Sequence, residues 1–384
     1  MKRRVVLITE IIAPYRIPVF NALAACEDID LHVIFLSETD PTLRQWLVHK
    51  DEIRFTYDVL PSLRRRVGKY NVLLNRGLSE VLRRARPEVV ICGGYNYATS
   101  WQAVRWANRK QVPFILWTES TSLDQRAHHA ITERLKRWFL SRCQAFIVPG
   151  LSARKYLRQL EIPDRSIFTA PNAMDLQLFT EVARRAKLSP AKVRQEFRLP
   201  NRYFLNVGRL VPIKGVIELL EAYAHLDPTV REKIGLVLVG DGELKIELAQ
   251  RAGQIQPGNI CLPGFLQKDR LPEVYALADA FVFPTLSDPW GFVVNEAMAC
   301  GLPVISTDVA GCVADLVRDG ENGLVVPACD VDALSSAIMR LATDDDLRAR
   351  MGDCGARRIL DYSPTAWAEG VSKAVRAVII DQDC

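Results

Sequence analysis

Short runs of apolar residues alternate along the chain with segments whose apolar positions recur at helical spacing. Continuous apolar runs are typical of parallel strands covered on both faces, and the segments between them are typical of the covering helices. The pattern therefore predicts an α/β fold built on parallel sheets. The predicted strands are 5–9, 31–36, 89–92, 114–117 and 145–148 in the first half, and 203–207, 236–239, 259–262, 280–283 and 303–306 in the second. Residues 53–59 alternate polar and apolar side chains, which favours a further edge strand.

The series of strands starts afresh after a charged segment, and 384 residues are enough for two domains with separate cores. We predict an N-terminal domain over 1–180 and a C-terminal domain over 181–362, with the hinge between Pro171 and about Pro200. A serine followed by a proline is typical of a helix start. Ser363-Pro364 therefore predicts a C-terminal helix over 363–384, which we expect to pack back toward the N-terminal domain.

The composition, 49% hydrophobic and 25% charged, is that of a globular protein, and no apolar run reaches the roughly 18–20 residues of a membrane span. Glu10 interrupts the first apolar stretch, so we interpret that stretch as a buried strand rather than a signal peptide. The nine cysteines are scattered without a Cys-x-x-Cys pair, which disfavours a zinc site and a disulfide framework. We therefore expect a cytoplasmic protein.

Two loops of the second half follow predicted strands, where ligands bind in open α/β sheets. The first, V-G-R-L-V-P-I-K-G at 207–215, places Arg209 and Lys214 at a helix start, where a bound anion would be stabilised. The alternative is two solvated surface cations. The second, V-G-D-G-E at 239–243, turns at Gly240, and such a pattern is also common in plain turns.

A third loop begins the block D-P-W-G-F-V-V-N-E-A-M-A-C-G-L-P-V-I at 288–305, in which 292–300 reads as a helix. The amides of Val293 and Val294 are predicted to point at a diphosphate. Glu296 accepts hydrogen bonds only, when ionised, and therefore suits the two hydroxyls of a ribose. The alternative is a solvated glutamate that stabilises the helix dipole.

These segments resemble the motifs of the retaining GT-B glycosyltransferases of family 4, the glycosyl transferases group 1. The resemblance covers nearly the whole chain, in segments that follow the family order: P-Y-R-I-P-V-F-N at 14–21, P-N-A-M-D at 171–175, G-R-L-V-P-I-K-G at 208–215, V-G-D-G-E, the 288–305 block, and G-E-N-G-L-V-V-P at 320–327. It implies two Rossmann-like domains whose parallel sheets face each other across a cleft.

The resemblance also implies the residues of the donor site. The family pattern of a carboxylate, seven residues and a glutamate matches Asp288 and Glu296, so Glu296 is expected to bind the donor ribose and Asp288 the transferred sugar. Asp288 departs from the usual glutamate, which makes the sugar contact less secure. Arg209 and Lys214 match the pair that neutralises the diphosphate. The remaining donor-binding candidates are Gly291, Phe292, Val293, Val294 and Gly240, with Gly264 and Phe265 near the base.

The acceptor side is less well marked. Many relatives carry a histidine just after the strand that matches 114–117, but this sequence reads W-T-E-S-T-S there. Glu119 or Thr118 lines the cleft instead, or the strand end has no catalytic part. Tyr15 and Arg16 follow the first strand, where relatives approach a phosphate, and are further cleft candidates. His128 and His129 are not assigned to the site.

The implied reaction transfers a sugar from a nucleoside diphosphate sugar to a hydroxyl with retention of the anomeric configuration. The leaving phosphate takes the acceptor's proton, and the cations stabilise the developing charge. We expect no cofactor and no metal, because two cations and a helix terminus supply that charge. A nucleotide-sugar epimerase of the same fold and a non-catalytic sugar-binding protein are the alternatives. The absence of a Walker loop and of G-x-G-x-x-G after the first strand disfavours a kinase or dehydrogenase.

Charge is unevenly divided, with 27 Lys and Arg against 17 Asp and Glu in 1–180, and 23 against 28 in the remainder. Residues 60–87 carry eight cations, Lys69 among them, and only one acid, Glu80, with leucines and valines interleaved. Such a segment can lie on an anionic membrane. We therefore expect peripheral contact with the inner face of the membrane and a lipid or lipid-linked acceptor of envelope polysaccharide or glycolipid synthesis. The alternative is an ordinary helix with buried leucines and solvated arginines. No nucleic acid partner is expected.

Overall fold

The computed structural model describes residues 2–39, 46–67, 70–122, 130–255 and 259–383. Lys69, His128 and His129 lie outside these ranges. The chain forms two compact units: the first comprises Met1–Met174 and Ser363–Cys384, and the second comprises Asp175–Tyr362. The division falls at Met174 rather than at 180, because Asp175 caps the first helix of the second unit by accepting a hydrogen bond from the Leu178 amide at 3.0 Å.

The first unit is built on a seven-stranded parallel sheet in the order β3-β2-β1-β6-β7-β8-β9. Its strands are β1 (Arg3–Thr9), β2 (Ile29–Phe35), β3 (Thr56–Val59), β6 (Val89–Gly93), β7 (Phe114–Trp117), β8 (Ala145–Val148) and β9 (Ile167–Thr169). A separate antiparallel hairpin consists of β4 (Ser62–Val67) and β5 (Tyr70–Asn75). The apolar pattern missed only β9 in this sheet, since three residues at an edge are too few to form a recognisable run.

Helices cover both faces of this sheet. They are α1 (Ile17–Ala24), α2 (Leu78–Ala85), α3 (Ala98–Arg109), α4 (Ala130–Leu140), α5 (Leu151–Gln159) and α16 (Pro364–Asp383). The C-terminal helix α16 packs against α1, β8 and β9. Its Trp367 is fully buried, with ring centroids 5.7 Å from Phe20 and 5.5 Å from Trp117. Burial of this large aromatic side chain ties the end of the chain to the first unit.

The described residues between 60 and 87 form the paired strands β4 and β5 followed by α2, and are therefore not one amphipathic segment. Side chains alternate between the two faces of a strand. Leu63 and Leu74 oppose each other on the outer face and are 59% and 51% exposed, whereas Leu73 faces inward and is buried. Leu78 and Leu82 of α2 are buried as well. The ordinary-helix alternative thus holds only for 78–85, and the apolar surface that remains accessible lies on the hairpin.

The second unit is built on a six-stranded parallel sheet in the order β12-β11-β10-β13-β14-β15. Its strands are β10 (Tyr203–Val207), β11 (Gly235–Val239), β12 (Ile260–Gly264), β13 (Ala280–Phe283), β14 (Val304–Thr307) and β15 (Gly323–Val326). Strand β15 was not predicted, although it lies inside the G-E-N-G-L-V-V-P motif. Two parallel sheets, each with strands and helices in alternation, confirm the predicted α/β class.

The helices of the second unit are α6 (Leu176–Leu188), α7 (Pro190–Phe197), α8 (Val216–Ala224), α9 (Pro228–Arg231), α10 (Lys245–Ile255), α11 (Leu271–Ala276), α12 (Phe292–Ala299), α13 (Val313–Leu316), α14 (Val331–Thr343) and α15 (Asp345–Arg358). Short 3-10 turns occur at Lys50–Glu52, Asp164–Ser166, Pro212–Lys214 and Ile359–Tyr362. Within the parts of the chain that the structure describes, no helix combines the length and apolar character that a bilayer crossing requires.

Candidate functional site

The loops that follow β10, β11 and β12 are joined backbone to backbone. The Gly208 amide donates to the Val239 carbonyl at 3.0 Å, and the Gly240 amide donates to the Gly264 carbonyl at 2.9 Å. Gly240 has φ +142°, and a Cβ on it would lie 1.8 Å from the Gly208 carbonyl oxygen. Only glycine allows this approach. V-G-D-G-E is therefore more than a plain turn: it joins the neighbouring loops into one edge of the sheet.

The two predicted cations of this edge differ in their surroundings. Lys214 ends a 3-10 turn before Gly215, and its Nζ lies 2.5 Å from Asp288 Oδ2. Both side chains of this pair are mostly buried. Arg209 is exposed, and no side chain or carbonyl in the described part of the chain pairs with its guanidinium. Lys214 is thus not a solvated surface cation, and Arg209 carries a positive charge open to an anion.

Both carboxylate oxygens of Asp288 accept hydrogen bonds. Oδ1 accepts the amide hydrogen of Trp290 at 3.1 Å, and Oδ2 accepts from Lys214. The Asp288 carbonyl accepts from the Gly311 amide at 2.9 Å, which ties this loop to the next. The carboxylate is therefore fixed in place, and each oxygen keeps a lone pair that can accept from a hydroxyl.

Helix α12 begins at Phe292, directly after Gly291, which has φ +101°. A Cβ on Gly291 would lie 2.5 Å from the Phe283 ring, so glycine is required for both conformation and space. The Val294 amide donates to the Gly291 carbonyl at 3.0 Å and is not available to a ligand, which corrects the prediction for Val294. The Val293 amide has no acceptor among the described residues and remains a candidate anion donor.

Glu296 lies one turn inside α12 and is held by a residue that the sequence did not single out. Its Oε2 accepts from the Tyr275 hydroxyl at 2.9 Å, so the alternative of a solvated glutamate is wrong. Burial raises the pKa of Glu296 to about 7, and the hydrogen bond from Tyr275 offsets part of that rise. A tyrosine in an otherwise apolar stretch just before β13 was the available signal, because a buried hydroxyl needs an acceptor.

The predicted base-binding segment lies on the same edge of the sheet. Gly264 ends β12 with φ +88° and accepts from the Gly240 amide. The next side chain, Phe265, is 39% exposed. An accessible aromatic ring is a suitable surface for a planar base.

The candidates in the first unit form a cluster of their own. Arg16 is 8% exposed, donates to Asn172 Oδ1 at 3.0 Å and pairs with Glu119. Its guanidinium carbon lies 4.5 Å from the ring centroid of Trp117 and 5.4 Å from that of Tyr15. Asn172 was not predicted, although it lies in the quoted P-N-A-M-D motif. The structure thus brings Tyr15, Arg16 and Glu119 together, with the cation already neutralised by a carboxylate.

Two family profiles match successive parts of the chain. The profile of Glycosyltransferase Family 4 matches residues 20–178, and the profile of Glycosyl transferases group 1 matches residues 191–358. The chain belongs to the family 4, group 1 glycosyltransferases. The expected family is confirmed, and the two profiles fall on the N-terminal and C-terminal sheets respectively.

Named relatives of this glycosyltransferase family member support the assignment. The chain is 32% identical over 168 residues to an alpha-D-kanosaminyltransferase of Streptomyces kanamyceticus, covering 43% of each chain. It is 33% identical over 197 residues to O-antigen chain mannosyltransferase B of Escherichia coli, covering 49% of this chain and 50% of that one. The matched part thus spans about half the length of these curated relatives or less.

The fold matches a solved structure over nearly its full length. Anabaena HepE in complex with UDP aligns with a TM-score of 0.76 and 17% identity, over 98% of this chain and 100% of that chain. At this identity the likeness concerns the fold, and it confirms the GT-B fold of this family member. The functions of Asp288, Arg209, Lys214 and Glu296 stay predictions.

Proposed function

We propose that this family member transfers a sugar from a nucleoside diphosphate sugar to a hydroxyl acceptor. The arrangement at the edge of the second sheet carries the proposal. Arg209 is an exposed cation and Val293 offers a helix amide, neither with a partner among the described residues, and the carboxylate of Glu296 lies one turn away. Cations and helix amides recognise phosphate, and a carboxylate recognises vicinal hydroxyls. A nucleoside diphosphate presents both groups in one molecule.

Each part of the donor has a suitable contact. Arg209, Lys214 and the Val293 amide would bind the diphosphate, with Gly240, Gly291 and Phe292 shaping the loops around it. Glu296 would bind the ribose, and the base would lie along Gly264 and Phe265. Asp288 would accept from a hydroxyl of the transferred sugar, and its position is supported by the hydrogen bonds from Lys214 and Trp290.

The reaction we propose retains the anomeric configuration. The bond between the anomeric carbon and the diphosphate oxygen breaks, and the acceptor oxygen attacks from the same face. The acceptor's proton passes to the departing phosphate oxygen. Arg209 and Lys214 would stabilise the negative charge that develops on that phosphate, which is the principal electrostatic contribution such a site can make. With these charges in place, we propose that transfer needs no metal.

On the acceptor side, Glu119 is the candidate that recognises a hydroxyl. Arg16 holds its Oε1, and Oε2 has no hydrogen-bond partner among the described residues. A carboxylate with one oxygen open suits an uncharged hydroxyl better than a phosphate.

We further propose a lipid or lipid-linked acceptor, used at the inner face of the membrane in the synthesis of envelope polysaccharide or glycolipid. The exposed outer face of the β4–β5 hairpin supports this, because Leu63 and Leu74 lie beside the exposed cation Arg65. Exposed leucines among cations are typical of surfaces that adsorb to anionic lipid. The O-antigen relative is consistent with such an acceptor.

The deciding experiment is a thermal-shift panel of UDP-, GDP- and ADP-sugars, followed by product analysis of the donor that binds. A specific ligand raises the melting temperature according to RT ln(1 + [L]/Kd). We expect one nucleotide to stand out, and a glycoside of unchanged anomeric configuration to form in the presence of EDTA. An inverted product would contradict the mechanism, and an isomerised donor formed without acceptor would indicate an epimerase instead.

A further inference from the structure

Tyr275 joins two parts of the candidate donor site. It lies on α11, is fully buried, and donates its hydroxyl to Glu296 Oε2 at 2.9 Å. The same hydroxyl lies 3.3 Å from the carbonyl oxygen of Val293 in the first turn of α12. One hydroxyl therefore contacts both the carboxylate and the helix start whose amide remains free.

The ring of Tyr275 is held on its apolar sides. Its centroid lies 6.2 Å from that of Phe179 on α6 and 5.5 Å from that of Phe281 on β13. Burial and the neighbouring Glu296 raise the pKa of Tyr275 well above its ordinary value, so the hydroxyl keeps its proton and acts as a donor. A fixed donor restricts the rotation of the carboxylate that it contacts.

Comparison with the other buried tyrosines of the second unit distinguishes this contact from ordinary packing. The Tyr203 hydroxyl donates to the Val274 carbonyl at 2.5 Å, and the Tyr223 hydroxyl donates to the Ile234 carbonyl at 2.8 Å. All three are fully buried. Among them, Tyr275 alone donates to a carboxylate, and that carboxylate is the predicted ribose ligand.

We propose that Tyr275 is a positioning residue of the donor site, which fixes Glu296 Oε2 so that Oε1 and the remaining lone pairs accept from the hydroxyls of a nucleotide ribose. The inference rests on the proposed function, since it assumes that Glu296 binds ribose. Tyr275 itself does not contact the nucleotide. Its effect is to convert a mobile side chain into an oriented acceptor, which lowers the entropy lost on binding.

The test measures how well the protein distinguishes a ribonucleotide from its 2′,3′-dideoxy analogue. Dissociation constants for UDP and 2′,3′-dideoxy-UDP, or the GDP or ADP pair if that base binds, are measured by calorimetry for wild type, Tyr275→Phe, Glu296→Gln and the double variant. Tyr223→Phe is the matched control, because it removes a buried hydroxyl that donates to a backbone carbonyl rather than to a carboxylate. Thermal melts accompany each measurement to establish that the variants are folded.

We expect Tyr275→Phe to weaken UDP binding roughly tenfold, as a lost hydrogen bond to a charged group does. The same variant should leave the dissociation constant for dideoxy-UDP nearly unchanged. In the Glu296→Gln background it should raise the dissociation constant for UDP by less than about twofold, because the two residues act through one contact. Tyr223→Phe should keep the full ribose preference even if its melting temperature falls. A Tyr275→Phe protein with wild-type preference overturns the inference.

Failure of the proposed function has a different signature. If Glu296→Gln retains the ribose preference, the assignment of Glu296 is wrong, whatever Tyr275 does. If Glu296→Gln loses the preference and Tyr275→Phe keeps it, only the positioning inference is wrong. If Tyr275→Phe fails to fold, position 275 can carry 4-aminophenylalanine, which keeps an N–H donor. We expect that variant to retain the ribose preference. A folded variant of this kind without the preference counts against the inference.

Discussion

The carboxyl edges of the two sheets carry the same kinds of side chain in opposite arrangements. In the first unit, Arg16 is buried, stacked on Trp117 and paired with Glu119. In the second, Arg209 is exposed and unpaired among the described residues, while Lys214 shares its charge with Asp288. A buried cation whose charge is already compensated by a carboxylate attracts a phosphate less strongly than an exposed cation that has no carboxylate partner. The comparison therefore favours Arg209 of the second unit as the residue that recognises an anion, and the cluster of the first unit has no net charge from this pair.

The largest effect should come from breaking the cluster in the first unit. Arg16→Met removes the cation and leaves Glu119 uncompensated, which typically lowers the free energy of unfolding by about 3–5 kcal/mol. We expect a clear fall in the denaturation midpoint with little change in nucleotide affinity. The control is Arg105→Met, an exposed arginine of the same unit that also lies over a tryptophan. Loss of nucleotide binding in a folded Arg16→Met protein would contradict the division between the two edges.

The second prediction is the opposite result at Arg209, where a substitution should lower activity with little change in stability. Arg209→Ala should reduce kcat/KM for the donor roughly 10- to 150-fold, which corresponds to about 1.5–3 kcal/mol for a hydrogen bond to a charged group. Its melting temperature should stay near that of wild type, because the side chain is exposed and has no hydrogen-bond or ion-pair partner among the described residues. Turnover and thermal melts check this, with Arg350→Ala, an exposed arginine of the same unit, as control. Unchanged turnover would exclude Arg209 from the site.

The third prediction concerns pH. Burial raises the pKa of Glu296 to about 7, and only the ionised form accepts from both ribose hydroxyls. Nucleotide affinity should therefore rise severalfold as pH increases from about 6 to 8, and Glu296→Gln should remove that rise. Because the pKa of the folded state lies above the ordinary value, ionisation disfavours the fold. The stability of wild type relative to Glu296→Gln should thus be greatest below about pH 4.5, the ordinary pKa of a glutamate, and should decline as pH rises from there through about 7.

Calorimetric titrations and thermal melts across this pH range check both halves of the prediction. A Glu296→Gln variant that retains the wild-type pH profile would show that another group titrates. Tyr275 on α11 and Cys300 just after α12 would not account for that profile, because burial and the neighbouring Glu296 raise the pKa of both groups further above this pH range. The charge of Lys187 on α6 lowers the pKa of Cys300 and offsets part of that rise.

The smallest effect is expected at the surface of the first unit. If the hairpin binds anionic membranes, Leu63→Ser with Leu74→Ser should lower co-sedimentation with anionic vesicles at low salt severalfold. Arg65→Ala should lower it about fivefold, since each cation near such a surface contributes about 1 kcal/mol. Leu188→Ser is the control, because Leu188 is a 73% exposed leucine of the second unit. Equal recovery of wild type in the supernatant with anionic and neutral vesicles would end the membrane proposal.

Much of the fold followed from local patterns. Buried parallel strands read as apolar runs in any context, so ten of them and the α/β class could be predicted from neighbouring residues alone. The parallel strands that this pattern missed, β9 and β15, are only three and four residues long. The motifs also identified the family, because their order along the chain is itself a property of the sequence.

The hairpin shows where local pattern was insufficient. Leucines among arginines at 60–87 fit a helix, an adsorbed segment or a pair of strands, and the chain uses a hairpin and a short helix. Burial of Leu73 on one face of the hairpin determines which leucines remain exposed on the other. That outcome depends on the sheet beneath, which lies elsewhere in the sequence.

The sequence by itself determined which residue types stand at the strand ends, and the tertiary structure decided how they are paired. Lys214 meets Asp288 across 74 positions, and Arg16 meets Glu119 across 103. Tyr275 meets Glu296 only because α11 packs against α12. The residues next to a charged or hydroxyl side chain in the sequence do not reveal its partner, because electrostatic and hydrogen-bond energies depend on distance in space. Whether a cation is free for a ligand or already neutralised is therefore a property of the folded chain.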